Sequence, residues 1–334
     1  MNNTGVILTL AYPETIVLHA EEWYSPFLKY LSIGNKTHVR AGHAALVLIN
    51  KLTGELEYHD FGRYITPEPN GRVRGKDTDC ELDFPLVAKI SDDVIVNLEE
   101  ILEFLATHPR LTHGDGTLYA SVCNKIDYDA ARNYITKKQD EHFIRYAAFI
   151  SNACNCARFV TDTLIASLTS ADIKKRLMRS KWFTPSTVGN VIIADTESLV
   201  YKVSEIGEIS KFSGSVGQIN RTCFLDRLKK FKPDYVGTIH PKSNDEIYET
   251  AQWLSGIAAG AWFELHATEN SNEFRYRRIA PNGRIDVNGI YYLENKYEFN
   301  FCENFEFIHY SNCKFFHIKQ NEKSYKFNLK EKLI

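Results

Sequence analysis

Ser151-Asn152-Ala153-Cys154-Asn155-Cys156-Ala157-Arg158-Phe159-Val160 reads as a polar, small-residue approach that turns into a helix at Cys156. Phe159, Val160, Thr163, Leu164 and Leu168 recur at helical spacing, which predicts a core-packed helix with Cys156 in its first turn. The unpaired N–H groups and partial positive charge of a helix start favour a thiolate there. Such a thiol serves as a nucleophile when the fold brings a histidine to it. The competing reading is a small buried side chain, a common fate of free cysteine.

The histidine is sought upstream. Gly42-His43-Ala44-Ala45-Leu46-Val47-Leu48-Ile49 is apolar on both alternating faces, as a strand covered on both sides must be. Asn50-Lys51-Leu52-Thr53-Gly54 supplies a turn, and Glu55 to Phe61 returns as a second strand. A turn centred near Leu52 sets His59 opposite Ala45, on the face of His43 and one diagonal step away. A slip of one residue would send His59 to the other face. In the expected register His59 fixes the imidazole tautomer, and the other ring nitrogen of His43 takes the thiol proton.

Composition bounds the rest. The chain has 334 residues, 44% hydrophobic and 25% charged, enough apolar material for two domains. A net charge of −2 gives no electrostatic reason to expect nucleic acid or an anionic membrane as partner. Seven scattered cysteines fit neither a disulfide framework nor a zinc pattern, so reduced thiols, no metal and no cofactor are expected. The first ten residues lack the features of a secretion signal, and no apolar run approaches a membrane span. A cytoplasmic location without integral membrane contact follows as the expectation.

Along the chain, Thr4 to Ala11 is expected as a strand and Glu14 to Leu31 as partly helical, limited by Pro26. Phe61 to Asp83 reads as a loop carrying Arg63, Arg72 and Arg74: a solvated connection, or a lid that recognises a carboxylate or phosphate. Helices are expected at 97–108, 129–139, 224–231 and 245–255, and strand-like material at 117–122 and 191–203. Lys174-Lys175-Arg176 reads as a solvated face. From Ala261 onward, short aromatic–polar alternations with Asn282-Gly283 as a hairpin signal predict a small antiparallel barrel or sandwich. The expected divisions are 1–185, a mixed connector over 186–255, and a β-rich domain over 256–334.

Gly42-His43-Ala44-Ala45-Leu46, the later His59, and Asn155-Cys156-x-x-Phe159-Val160 together resemble the circularly permuted branch of the NlpC-type papain-like cysteine peptidase superfamily. That branch includes the lecithin:retinol acyltransferase-like enzymes, and the resemblance spans residues 38–170. It implies an α+β domain with an antiparallel sheet and a Cys-bearing helix. Cys156 is then the nucleophile, His43 the base and His59 the orienting third member. The separation of His43 and His59 is longer than is usual in the superfamily, which leaves Asp60 or Glu57 as alternative orienters. Cys154 is a second thiol, disfavoured because it precedes the helix and lacks the Phe three residues on.

The implied activity is hydrolysis of a peptide or amide bond through an acyl-enzyme. The Cys156 N–H and either Asn152 or Asn155 would hold the oxyanion. Acyl transfer or thioester hydrolysis on an acyl-group substrate uses the same chemistry. A papain-like scaffold that only binds a ligand or partner is a reading of another class, and a zinc site from His43, His59 and Cys156 lacks any further ligand spacing.

Overall fold

A computed structural model describes residues 2–20, 22–31, 33–64, 66, 69–232, 241, 247–256, 259–281, 283–294, 299–308 and 315–333. They fall into two compact units, one of 1–62 with 71–232 and one of 63–70 with 233–334.

The first unit is built on the two most apolar runs, Gly5–Tyr12 (β1) and His43–Asn50 (β2), which are buried almost throughout. Because both faces of these strands are apolar, they need cover on both sides and take the middle of the sheet. Leu56–Gly62 (β3), Asn70–Arg74 (β4), Leu118–Ile126 (β5), Ile144–Arg145 (β6), Tyr201–Val203 (β7) and Ile209–Lys211 (β8) complete it. Among the described residues the order is β6-β4-β3-β2-β1-β5-β7-β8, antiparallel from β4 through β8.

Alternation along the central strands makes two cores. Val6, Leu8, Leu10 and Tyr12 join Ala45, Val47 and Ile49 under the helix Leu98–Thr107 (α1). Ile7 joins Ala44, Leu46 and Leu48 on the opposite face. That face is covered by Tyr128–Asp140 (α2), Cys156–Ser167 (α3) and Ala171–Ser180 (α4). Thr187–Ala194 (α5) sets Val188 and Val191 against Ala11 and Tyr119, and Val216–Phe224 (α6) follows β8.

Several local expectations are corrected. Among the described residues between 14 and 31 only Ser25–Leu28 and the tight turn Lys29–Leu31 are helical. The stretch from 61 to 83 contains β4, whose Val73 enters the core while Arg74 is buried beside an acid; its charge disguised a strand as a loop. The β-branched run at 191–193 lies in α5, because Ser186 caps the helix by accepting from Gly189 N and the sheet packs its apolar side. The helix expected at 224–231 ends at Phe224, where α6 has already run its length from the Ser215 cap. Residues 187–224, expected as a connector, thus add helices and strands to the first unit.

In the second unit the helix expected at 245–255 is not formed in its described part: 247–251 is turn, the strand Gln252–Gly256 (β9) follows, and residues 245 and 246 lie outside the described residues. Ala259–Ala267 (β10), Glu273–Ile279 (β11), Ile285–Leu293 (β12), Glu306–Ile308 (β13), Phe315–Gln320 (β14) and Lys323–Lys332 (β15) follow, in the order β9-β10-β11-β12-β15-β14-β13. Gln252 nearly closes this sheet into a barrel: its Nε2 donates to Phe305 O and its Oε1 accepts from Phe307 N, both at 2.8 Å. Rings fill the interior, with Phe316 stacked between Tyr276 at 4.3 Å and Phe327 at 4.6 Å. The expected β-rich domain is present as a small barrel.

Candidate active site

The β2–β3 turn decides which side chain meets His43. Asn50 N donates to Glu55 O at 2.9 Å, and Asn50 Oδ1 accepts from Leu52 N at 2.9 Å. Gly54, at φ +72°, closes a four-residue loop. A Cβ there would strike Ala88 O and demand the left-handed region, so the loop is specific for glycine. The resulting register pairs Ala45 with Asp60 and Leu46 with His59, one residue away from the pairing expected for a turn centred on Leu52. Every β3 side chain therefore changes face relative to that expectation. His59 is not opposite Ala45. Asp60 is.

His43 opens β2 at the end of the sheet, next to the N-terminus of α3. Its Nε2 lies 3.0 Å from Asp60 Oδ2, and a further hydrogen bond joins its ring to the Cys156 thiol. With Nε2 committed to Asp60, Nδ1 is the nitrogen left for sulfur. Behind Asp60 stands Arg74, fully buried, whose Nε donates to Oδ1 at 2.9 Å and whose Nη2 donates to Oδ2 at 2.7 Å. Arg74 Nη2 also reaches Leu111 O at 3.2 Å. Tyr58 shares the face of Asp60 and offers one hydroxyl proton to Asp60 Oδ2 at 3.1 Å or Thr112 O at 2.8 Å.

These contacts set the charges. Burial would raise the carboxyl of Asp60, but the Arg74 guanidinium and the His43 hydrogen bond hold it well below the usual carboxylate range. Burial alone would push the His43 imidazole down; the bonds to Asp60 and Cys156 reverse this and lift it to about 9. His113 was not singled out from the sequence, although its turn ends the short helix Pro109–Thr112. Its ring meets His43 edge-on at 5.7 Å. Burial, then the charges of His43 and Arg74, push it down to about 3, so it stays neutral beside the pair.

The Cys156 end is shaped by its cap. Asn155 Oδ1 accepts from Arg158 N at 2.9 Å and its Nδ2 donates to Ala147 O at 3.2 Å. Asn155 is therefore spent on starting the helix and anchoring the preceding loop. Asn152 is exposed in that loop at φ +59°. Cys154 is buried and its thiol is pushed up to about 12 by burial. Cys156 itself is 7% exposed and His43 3%.

Residues 7–173, half of the chain, match the family described as type VI secretion system effector TseH-like. The chain belongs to that family. Residues 251–330, which hold the barrel, match the DUF6695 C-terminal domain. A crystal structure titled type VI secretion system effector TseH is similar at 19% identity, over 64% of this chain and 100% of that one, with a TM-score of 0.43. No curated protein matches the chain. Effectors of a secretion system are exported, so the cytoplasmic placement expected from the first ten residues is not retained. Among the described residues no helix is long and apolar enough to cross a membrane.

Within this TseH-like domain the other anticipated residues take structural positions. His59 is fully buried on the helix side of β3, with Nδ1 donating to Arg74 O at 3.2 Å and Nε2 3.5 Å from Glu57 Oε2. It does not face His43, so His43, His59 and Cys156 form no common ligand set. Glu57 also turns away from His43: it accepts from Tyr128 Oη at 2.7 Å and pairs with Arg132. Arg72 forms a two-pronged pair with Asp79 at 2.7 and 2.6 Å. Arg72 and Arg74 are consequently occupied within the fold rather than presented by a lid. Arg63 is half-buried and belongs to the second unit.

Proposed function

We propose that this TseH-like effector is a cysteine hydrolase of the permuted papain-like type, cleaving a peptide or amide bond with Cys156 as nucleophile, His43 as base and Asp60 as orienting residue. The observation that carries the reading is the unbroken chain of hydrogen bonds Arg74–Asp60–His43–Cys156, which ends at the first residue of a helix. The charge balance supports it. Arg74 already matches the charge of Asp60, so the proton that His43 takes from Cys156 in the proposed cycle is balanced by the sulfur it leaves behind. The neutral His113 adds no competing charge.

In the proposed cycle His43 Nδ1 takes the thiol proton and sulfur attacks the carbonyl carbon. The oxyanion accepts from the Cys156 N–H, which as a first-turn group has no partner inside the helix. His43 then gives its proton to the leaving nitrogen as the C–N bond breaks, leaving a thioester. Water, deprotonated by His43, attacks the thioester, and the acid departs with the thiol restored. Asn155 is committed to the cap, so it is not assigned the second oxyanion donor. An acyl acceptor in place of water would make the same site a transferase.

The near-closure of the site, with Cys156 7% exposed, favours a second reading, a papain-like scaffold that binds without turnover. One experiment separates them. The hydrolase reading expects iodoacetamide to label Cys156 faster than Cys154 or Cys223, expects His43→Ala to abolish that preference, and expects turnover of a fluorogenic peptide library that Cys156→Ala removes. Labelling of Cys156 no faster than Cys223 and indifferent to His43→Ala would sink it.

A further inference from the structure

Exposed rings are crowded on one side of the first unit. Trp23 is 80% exposed, Phe149 44%, Trp182 89% and Phe183 73%. Edge contacts link Trp23 to Tyr24 at 6.0 Å, Tyr24 to Phe149 at 5.2 Å and Phe149 to Phe183 at 4.9 Å, and Trp182 adjoins Phe183 in the chain. Phe27, 56% exposed, extends the surface in the short helix after Trp23. Single exposed apolar residues are ordinary on any protein, whereas a joined patch drawn from three separate segments marks an interaction surface.

The patch is tied to the scaffold. Glu22, itself buried, accepts from Ala148 N at 2.7 Å, Phe149 N at 2.9 Å and Tyr24 Oη at 3.0 Å. Arg158, in the first turn of α3, donates to the carbonyls of Ala148, Ile150 and Ala153. The surface is thus held to the helix that carries Cys156.

Beside the rings the charge is one-sided. Lys174, Lys175, Arg176, Arg179 and Lys181 occur within eight residues that contain no acid; Asp172 is the acid in α4, and Lys181 pairs with Asp162. Lys175, Arg176 and Arg179 are exposed. Lys181 N donates to Met178 O and Trp182 N to Arg179 O, which wraps the end of α4 directly into Trp182 and Phe183.

We infer that this surface docks on an anionic lipid bilayer, with Trp23, Phe27, Trp182 and Phe183 at headgroup depth and Lys175, Arg176 and Arg179 against lipid phosphates. Indole and phenyl rings flanked by basic side chains are what a membrane interface selects. The shape agrees. The two tryptophans are the most exposed members, which suits insertion into a fluid surface, whereas the hot spots of a protein partner sit in packed pockets. The inference stands apart from the hydrolase reading, since binding needs no turnover.

The test is co-sedimentation of the full chain carrying Cys156→Ala with vesicles of phosphatidylcholine alone, or with about a third phosphatidylglycerol. Binding is expected only to the anionic vesicles and is expected to fall with salt. Lys175→Ala/Arg176→Ala/Arg179→Ala should weaken it about a hundredfold, at roughly fivefold per basic side chain. Trp23→Ser/Trp182→Ser should weaken it at least about tenfold while leaving the far-ultraviolet circular dichroism unchanged, because both rings are exposed. No sedimentation of the folded chain with anionic vesicles overturns the proposal, as does binding indifferent to the tryptophan pair. A dimer seen by light scattering and lost in the tryptophan variant overturns it too, by assigning the patch to a second copy.

Discussion

Asp60→Asn separates what Asp60 does for the fold from what it does for His43. Asp60 is fully buried and receives two hydrogen bonds from the equally buried Arg74. The variant leaves that guanidinium without a counter-charge in the interior, at a cost of about 3–5 kcal/mol. For a unit of this size the loss corresponds to a drop of about 10 °C in Tm, by differential scanning calorimetry. His43 meanwhile keeps its burial but loses the larger of the two bonds that lift it to about 9, so its hold on the proton weakens. A turnover loss of about 10²–10⁴-fold is expected at pH 7, together with slower labelling of Cys156. Asp60→Asn/Arg74→Met removes the stranded charge as well. It should regain most of the stability, because apolar replacement of a buried pair is often nearly neutral. It should not regain the reactivity. A double variant that labels Cys156 at the parental rate, with the parental pH profile, would refute the role given to Asp60.

Other outcomes follow from the same geometry. His59→Gln is expected to cost about 1–3 kcal/mol in denaturant titration, through loss of the buried bond to Arg74 O, and to leave Cys156 labelling intact. Asn155→Ala should remove about 1–2 kcal/mol by uncapping α3 and slow labelling by loosening its first turn, whereas Cys154→Ala should leave labelling unchanged. The pH dependence has two limbs of opposite sign. His43 is raised from 6.5 to about 9 in the folded chain, so its contribution is complete below pH 6.5 and is lost as pH rises through 9. Burial would raise Glu57, but its contact with His59, its bond from Tyr128 and the charge of Arg132 lower it from 4.5 to about 2, so its contribution holds above 4.5 and is lost as pH falls towards 2. Denaturant midpoints measured from pH 2 to 10 should fall at both ends, and Asp60→Asn should flatten the alkaline limb.

The helix of Cys156, the two central strands and the aromatic barrel were legible because apolar periodicity encodes each of them. Within the site, His43 and Cys156 were legible and the partner of His43 was not. Whether His59 or Asp60 faces it depends on one residue of turn, and that is settled by the conformation of Gly54 and the side chain of Asn50 rather than by any pattern in the strands. Arg74 was read as a loop arginine rather than as the partner of Asp60, because a sequence shows an arginine as a solvated charge until the acid that buries with it is known. The strand at Gln252–Gly256 was hidden by the helix-like spacing of Ile247, Ala251 and Leu254, overruled by pairing with β10.

The four-residue turn between β2 and β3 has a bearing on how such sites diversify. His59 and Asp60 are adjacent on one strand, so β3 carries a group able to orient an imidazole on each of its faces. Loop length acts as the selector: one residue more or fewer between Asn50 and Glu55 would exchange carboxylate for imidazole at the side of His43 without any change in the residues themselves. The exchange would also invert Tyr58 and Phe61, which pack into opposite cores, so the hydrophobic layers act as the lock that keeps the selector in place. A Cys-His-Asp site and a Cys-His-His site on this hairpin are therefore separated by an insertion and a repacking rather than by a point substitution.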